Sequence, residues 1–261
     1  MMNLAIVTGT TKGIGAALRD VLAADKNNFV ITLSRAATTT TSRAPTTTTS
    51  PAATTTAAPF NVNLDVSDLG AIESAFAAVT GHIGGQHFDR AVLINNAGVV
   101  SPVGAFDQIS AVETGNNLIV NVAAPMVLSR LFALATRDIA RRRLIVNISS
   151  GAARRAMAGW SAYCAAKAGL EMATRVAAME AASNDPTLAI CSLAPGVVDT
   201  EMQALIRGTS EKEFPDVARF RAMKTAGMLR NAHDVARDIA ALIAGGKLTN
   251  GGNFDIRELT Q

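Results

Sequence analysis

Tyr163 is the only tyrosine in the chain, and Lys167 follows it by four residues. On a helix such a pair shares a face, so the ammonium can sit near the phenol. A nearby cation favours the phenolate and draws the phenol down from its usual value of about 10. That moves the hydroxyl toward the range where it can act as a general acid or base near neutral pH. An isolated Tyr-x3-Lys also occurs on ordinary helix surfaces, so the pair needs company. Ser150 supplies it, thirteen residues before Tyr163, where Asn147-Ile148-Ser149-Ser150 ends an apolar run. Ligands of open α/β sheets gather beyond the carboxyl ends of strands, so Ser150 can donate a hydrogen bond to a substrate carbonyl oxygen. Ser149 is the neighbouring competitor and is expected to point elsewhere.

A second constellation lies near the N-terminus. Thr8-Gly9-Thr10-Thr11-Lys12-Gly13-Ile14-Gly15 follows the apolar run Leu4 to Thr8 and opens a helical stretch from Ala16 to Ala24. Glycines let a backbone turn tightly against a pyrophosphate, and the helix N-terminus offers free N–H groups and a positive dipole end. An ordinary Gly-rich turn is the plainer reading, but the strand–loop–helix placement argues against it. The second apolar run ends at Ser34-Arg35, with no acid between Phe29 and Thr41. A carboxylate in that region would grip a ribose 2′-OH. Lys12 and Arg35 are instead available to a 2′-phosphate, which favours NADP(H).

Elements that can position these groups alternate along the chain. Strand-like runs fall at Leu4 to Thr8, Phe29 to Leu33, Asn61 to Leu64, Ala91 to Ile94, Leu144 to Ile148, Leu188 to Leu193 and Asn253 to Ile256. Helical patterns fall near 69–80, 108–138, 161–183 and 233–244. This predicts one α/β unit over residues 1–261, a doubly wound parallel sheet of about seven strands covered on both faces. Residues 36–59 break the pattern, being almost wholly Thr, Ala, Ser and Pro with Arg43 the only charge. Thr and Pro disfavour a helix there, so the segment reads as a poorly ordered replacement for an outer crossover helix.

Composition excludes several classes. The net charge is +3, aromatic residues make up 4%, and there is no basic stripe, so a nucleic-acid partner is not expected. Arg141-Arg142-Arg143 and Arg154-Arg155 read as solvated loops. The apolar stretch Leu118 to Ala135 contains Asn121, Pro125, Ser129 and Arg130 and reads as a buried helix rather than a bilayer span. The N-terminus shows no export signal, so a cytoplasmic protein is expected. The two cysteines, Cys164 and Cys191, have no metal-ligand spacing, and no metal is expected.

The loop spacing Gly-x3-Gly-x-Gly, together with Asn95-Asn96-Ala97-Gly98, Ser150, Tyr163, Lys167 and Pro195-Gly196-Val197-Val198-Asp199-Thr200, resembles the short-chain dehydrogenase/reductase family. The motifs stand in family order from Thr8 to Thr200. The resemblance implies a Rossmann-type fold and a catalytic set of Ser150, Tyr163, Lys167 and Asn121. Asn121 would hold a water that connects Lys167 to solvent; alternatively it caps a kink before Pro125. Cofactor contacts implied are Gly9, Thr10, Thr11, Lys12, Gly13, Ile14, Gly15, Ser34, Arg35, Asp65, Val66, Asn95, Ala97, Gly98, Tyr163, Lys167, Pro195, Gly196, Val198 and Thr200.

Two longer stretches, Asn147 to Ala152 with Gly159 to Cys164 and Ala194 to Gln203, resemble the sepiapterin reductase-like branch, which includes bacterial benzil reductases. That implies NADPH-dependent reduction of a ketone or vicinal dicarbonyl, with a pterin as the alternative substrate and a non-catalytic NADP-binding module as the alternative of another class. Members of the last kind usually lack the Tyr or the Lys. Ser150, Tyr163, Gly196 and Asp255 would touch the substrate. Asp255 matches an acid that grips the pterin; its plainer reading is a solvated strand residue. Trp160 and residues 201–229, with Met202, Leu205, Phe214, Phe220, Met223 and Met228, would form a lid and an apolar wall. The resemblance also implies a homodimer built on the helices near 108–138 and 161–183.

Overall fold

Seven runs form strands, the five inner ones rich in Val, Ile, Leu and Ala: β1 (Asn3–Thr8), β2 (Asn28–Ser34), β3 (Phe60–Asn63), β4 (Phe88–Asn95), β5 (Ala140–Ile148), β6 (Leu188–Ala194) and β7 (Asn253–Asp255). In the computed structural model, which describes residues 2–35 and 58–259, they pair in parallel in the order β3-β2-β1-β4-β5-β6-β7. The chain works outward from β1 in both directions. The crevice between β1 and β4 is therefore the topological switch point, where open α/β sheets bind ligands. Residues 36–57 of the Thr-rich segment lie outside the described residues.

Successive strand side chains face opposite sides of the sheet, and both sides are buried. Leu4, Ile6, Ile31, Leu93 and Ile145 pack against α2 (Leu69–Ile83), α4 (Ala124–Ala135) and α5 (Ser161–Asn184) through Ile72, Phe76, Leu128, Phe132 and Ala178. Ala5, Val7, Val92, Ile94 and Val146 pack against α1 (Gly13–Ala23) and α8 (Ala232–Ala244) through Leu18, Leu22, Val235 and Ile239. Each fully buried aliphatic side chain contributes about 1.5–3 kcal/mol relative to exposure. A third cluster sits beyond the carboxyl strand ends, where Val100, Trp160, Tyr163, Phe214, Val217 and Phe220 meet. It joins α5 to α6 (Glu201–Gly208) and α7 (Val217–Thr225).

Two readings change. Arg141, Arg142 and Arg143 are not a solvated loop: they open β5, and Arg143, 2% exposed, is ion-paired with Asp185. Pairing with β4 draws this stretch into the sheet, and Thr187 Oγ1 and the Ala133 carbonyl accept further bonds from the Arg143 guanidinium. The helix around Leu118 to Ala135 is buried along one face only, about a third of its residues. The continuous stretch Ala111–Thr136 is, by length and composition alone, long and apolar enough to cross a membrane, the one such helix among the described residues. In this fold it turns Ala124, Leu128 and Phe132 into the core and leaves Met126 and Leu134 exposed.

Candidate active site

The loop after β1 closes onto the end of β4. Gly9 has φ +70°, and a Cβ there would stand 2.8 Å from Ala97 Cα. A Cβ on Gly15 would stand 2.1 Å from the Gly9 carbonyl oxygen and 2.4 Å from Asn96 Nδ2. Asn96 Nδ2 donates to the Thr8 and Gly9 carbonyls, and Thr8 Oγ1 accepts from the Asn96 and Ala97 amides at 2.9 Å. The loop is thus held shut from one side. On its other side α1 begins with no side-chain cap and no acid in its first turn. Its first N–H groups and positive end are open to an anion. Thr10 Oγ1, buried without a partner, adds an unspent hydroxyl. This is a fitting cradle for a dinucleotide pyrophosphate.

Toward the β2 end the cleft is lined by Ser34, Arg35, Asp65 and Val66. The Asp65 carboxylate accepts from the Ser67 amide and hydroxyl, which hold it below the usual carboxylate range. Arg35 approaches it at 3.9 Å, and Lys12 pairs with Glu201. All four of these side chains are largely or half exposed, so both pairs are weak and exchangeable.

At the other end, Tyr163 and Lys167 lie one turn apart on α5 and are 7% and 5% exposed. Lys167 Nζ is 5.8 Å from the phenol ring centroid and donates to the Ile148 carbonyl at 2.9 Å. This corrects the electrostatic expectation. Burial raises the phenol above its ordinary value, with the Ser150 hydroxyl beside it pulling partly back. Burial also pushes the Lys167 ammonium down to about 8. Water is excluded from both groups, and the ammonium is turned to a neutral carbonyl, so desolvation outweighs attraction. Ser150 opens a 3-10 turn (Gly151–Ala153) and lines the cleft; its Oγ accepts from the Ala152 amide at 3.2 Å. Ser149 points away, donating to Glu171 Oε1 at 2.7 Å.

Asn121 sits in a π-helical turn (Ile119–Ala123) between α3 (Ala111–Leu118) and α4. Its Nδ2 donates to the Val99 carbonyl at 2.8 Å and its Oδ1 accepts from the Val99 amide at 3.3 Å, so it clamps the strand-end loop, while its Nδ2 also donates to the Asn117 carbonyl at 3.1 Å across the irregular turn. Gly98 separates it from the lysine: a Cβ there would stand 2.9 Å from Asn121 Oδ1 and 3.7 Å from Lys167 Nζ. Facing this site, Gly196 has φ +76°. Thr200 caps α6 against Gly13. The whole forms one cleft of about 570 Å³ running from Gly9 to Arg257.

The sequence pattern of the short chain dehydrogenases matches residues 3–211. The chain belongs to the short-chain dehydrogenase/reductase family. It is therefore an oxidoreductase of a family that binds nicotinamide cofactors. It is 35% identical over 257 residues to the benzil reductase ((S)-benzoin forming) of Bacillus subtilis (strain 168), covering 98% of this chain and 99% of that one. It is 28% identical over 263 residues to the sepiapterin reductase of Bos taurus, covering 97% and 94%. A solved short-chain dehydrogenase/reductase from Saccharomyces cerevisiae superimposes with TM-score 0.78 at 23% identity, covering 97% of this chain and 96% of that one, a likeness of fold.

Most of the family positions named from sequence converge. Gly9, Thr11, Lys12, Gly13, Ile14, Ser34, Arg35, Asp65, Val66, Ala97, Gly98, Ser150, Tyr163, Lys167, Pro195, Gly196, Val198, Thr200 and Asp255 all line the cleft. Thr10, Gly15, Asn95 and Asn121 do not. Asn95 is buried and donates to Asn147 Oδ1 at 2.8 Å and Ser129 Oγ at 3.1 Å, beneath the sheet end. Its neighbour Asn96 takes the place at the cleft. The apolar wall is real for Trp160, Met202, Phe220 and Met223, whereas Leu205 and Met228 are exposed outside it. Phe214 lies behind the wall, fully buried and stacked on Trp160 at 4.5 Å. Asp255 is not solvated: its carboxylate is bound by Arg257, a cleft residue that sequence reasoning missed. The signal available was its i+2 spacing from Asp255. Glu171 was missed too, although it continues the Tyr163–Lys167 face by one further turn.

Proposed function

We propose that this reductase uses NADPH to reduce an aromatic vicinal diketone of the benzil type to the hydroxyketone. The observation that carries the reading is the single cleft onto which Ser150, Tyr163, Lys167 and the Gly9–Ile14 loop all open. That loop would hold the cofactor's pyrophosphate, Arg35 and Lys12 its 2′-phosphate and the Pro195–Thr200 segment its nicotinamide end, and the reduced cofactor would supply the hydride. The protein's own residues do the rest. Tyr163 is neutral at physiological pH because burial raises its phenol, so it is loaded as the acid that protonates the carbonyl oxygen. Ser150 donates to the same oxygen and stabilises charge developing there. Lys167 stabilises the phenolate that remains, from within the same dry pocket. Asn121 holds the Val99 backbone and so keeps Gly98 against Lys167.

Three features support the finer assignment. The absence of an acid at the end of β2, with Arg35 and Lys12 on the cleft, favours the 2′-phosphate of NADPH. Likeness to a benzil reductase over nearly the whole chain, with a wall of Trp160, Phe220 and two methionines, favours an aromatic diketone. The engagement of Asp255 by Arg257 weighs against the pterin alternative, which needs that carboxylate free for substrate N–H groups. We further infer a homodimer, because Met126, Leu134, Met172, Val176 and Met179 leave an exposed apolar surface on α4 and α5.

The test is a panel of benzil, sepiapterin and simple ketones, each followed by NADPH and NADH absorbance. Benzil with NADPH should give the highest kcat/KM. Sepiapterin outrunning benzil, or equal efficiency with the two cofactors, would refute the assignment.

A further inference from the structure

We propose that Arg257 is a specificity residue that donates to the second carbonyl oxygen of a vicinal diketone while Ser150 and Tyr163 engage the first. This rests on the diketone reading above and names the residue that would enforce it.

The side chain is built into the cleft wall. Asp255, 7% exposed, ends β7. Its Oδ1 accepts from the Arg257 amide at 3.0 Å and from Nε at 2.8 Å, and its Oδ2 accepts from Nη2 at 2.5 Å. This two-pronged grip fixes the guanidinium plane. From the other side, Arg257 Cδ and Cγ lie 3.5 and 3.6 Å from the point where a Cβ on Gly196 would stand. These are ordinary van der Waals distances, so the stem lies against the Gly196 backbone, and at φ +76° that position disfavours a side chain. The stem is thus seated on the Pro195-Gly196 segment, in the same cleft that Ser150 and Tyr163 line.

What remains free decides the chemistry. A guanidinium has five N–H donors, and Asp255 uses one on Nε and one on Nη2. Three are left, on a side chain that is 62% exposed to the cleft and solvent. The carboxylate cancels the cation, so the pair offers oriented donors without net charge. A neutral carbonyl oxygen suits such a surface better than a carboxylate does. A vicinal diketone carries one such oxygen on the carbon next to the reacting one. Holding it by Arg257 fixes which face of the reacting carbonyl is presented, and it draws electron density away from that carbon.

The experiment compares benzil with deoxybenzoin, which keeps both phenyl rings but has a methylene in place of one carbonyl. Arg257→Met keeps most of the stem against Gly196 and removes the donors. Arg257→Lys keeps a cation for Asp255 but cannot both fill the two-pronged grip and reach a substrate. In both variants the loss of kcat/KM on benzil should exceed the loss on deoxybenzoin by about 10- to 100-fold, the worth of a hydrogen bond from a charged donor. The benzoin formed should also lose enantiomeric excess. Unfolding midpoints and NADPH binding, followed by cofactor fluorescence, serve as controls. Equal losses on the two substrates, or unchanged enantiomeric excess, would overturn the proposal. Wild-type turnover of deoxybenzoin but not benzil would overturn it while leaving carbonyl reduction intact. Turnover of neither would remove the diketone reading itself.

Discussion

Lys167 gives a test in which the structure sets the sign and an order of magnitude. Burial lowers its ammonium from 10.5 to about 8 in the folded, cofactor-free protein. In the unfolded chain the ordinary value returns. Below about pH 8 the folded protein therefore confines a charge that the unfolded chain hydrates freely, and this destabilises it. As pH rises from about 8 toward 10.5 the folded form sheds its proton first, so the penalty is relieved. With about 1.4 kcal/mol per pKa unit, the penalty is about 3 kcal/mol near pH 7 and about 1 kcal/mol near pH 9.5. Lys167→Met removes the charge at every pH. It also leaves the Ile148 carbonyl without its donor, a cost of about 1–3 kcal/mol that does not depend on pH. The informative quantity is hence the change in the variant's relative stability between the two pH values, about 2 kcal/mol. For a chain of this size that is a shift of roughly 4–8 °C in the difference between midpoints. Calorimetry on the cofactor-free proteins measures it: the variant should be relatively more stable near pH 7 and lose that advantage near pH 9.5. A midpoint difference that stays constant across this range, or moves the opposite way, would refute the claim that Lys167 is held partly desolvated.

Other expectations follow from the same geometry. Tyr163→Phe removes only the proton donor, so NADPH binding should survive while kcat falls by about 10²- to 10⁴-fold; near-normal turnover in that variant would displace Tyr163 from the chemistry. Arg35→Ala should narrow the preference for NADPH over NADH, read as the ratio of the two kcat/KM values, because Arg35 lines the cleft at the β2 end. Met172→Glu together with Met179→Glu places charge on the exposed face of α5 and should yield monomers in sedimentation velocity if two copies pair there; an unchanged sedimentation coefficient would move the interface elsewhere.

The parts of this molecule that were readable from sequence are those whose causes are local. The alternation of apolar runs with helical patterns places the strands, most sharply the inner ones, since a sheet buried on both faces requires such runs there. The phosphate loop was readable because Gly9 and Gly15 meet backbone at distances that exclude any side chain. What escaped depends on contacts between residues distant in the chain. Asn95 and Asn96 look equivalent in sequence, yet consecutive side chains at a strand end face opposite ways, and only the register of β4 beside β1 and β5 gives Asn96 to the loop. Arg257 became significant only through Gly196, which the fold of β6 and β7 brings beside it. Tyr163 and Lys167 do share one helix face at the cleft, as their spacing implies, but burial shifts both groups against the expected direction. Spacing reports proximity, whereas burial depends on every element packed around the pair.

The face of α5 to which we assign the chemistry is also the face by which the helix is fixed. Tyr163 and Lys167 turn toward the cleft. One turn on, Glu171 receives Ser149 Oγ at 2.7 Å from β5, Arg154 Nε at 3.4 Å from the segment after Ser150, and Asn253 Nδ2 at 3.1 Å from β7. Further along, Thr174 Oγ1 accepts from Asn147 Nδ2 at 2.8 Å, and Asn147 Oδ1 in turn accepts from Asn95. A rotation of α5 about its axis would break these buried bonds together, and each buried polar group left unpaired costs about 1–3 kcal/mol. The two adjacent serines thereby divide the work: Ser149 is spent on Glu171, which leaves Ser150 directed at the cleft. Because Glu171 also reaches β7, which ends at Asp255 and leads directly into Arg257, the groups proposed to flank the substrate are referred to one side chain. The position of the phenol relative to Ser150 and the depth to which Lys167 is buried are then consequences of a single network.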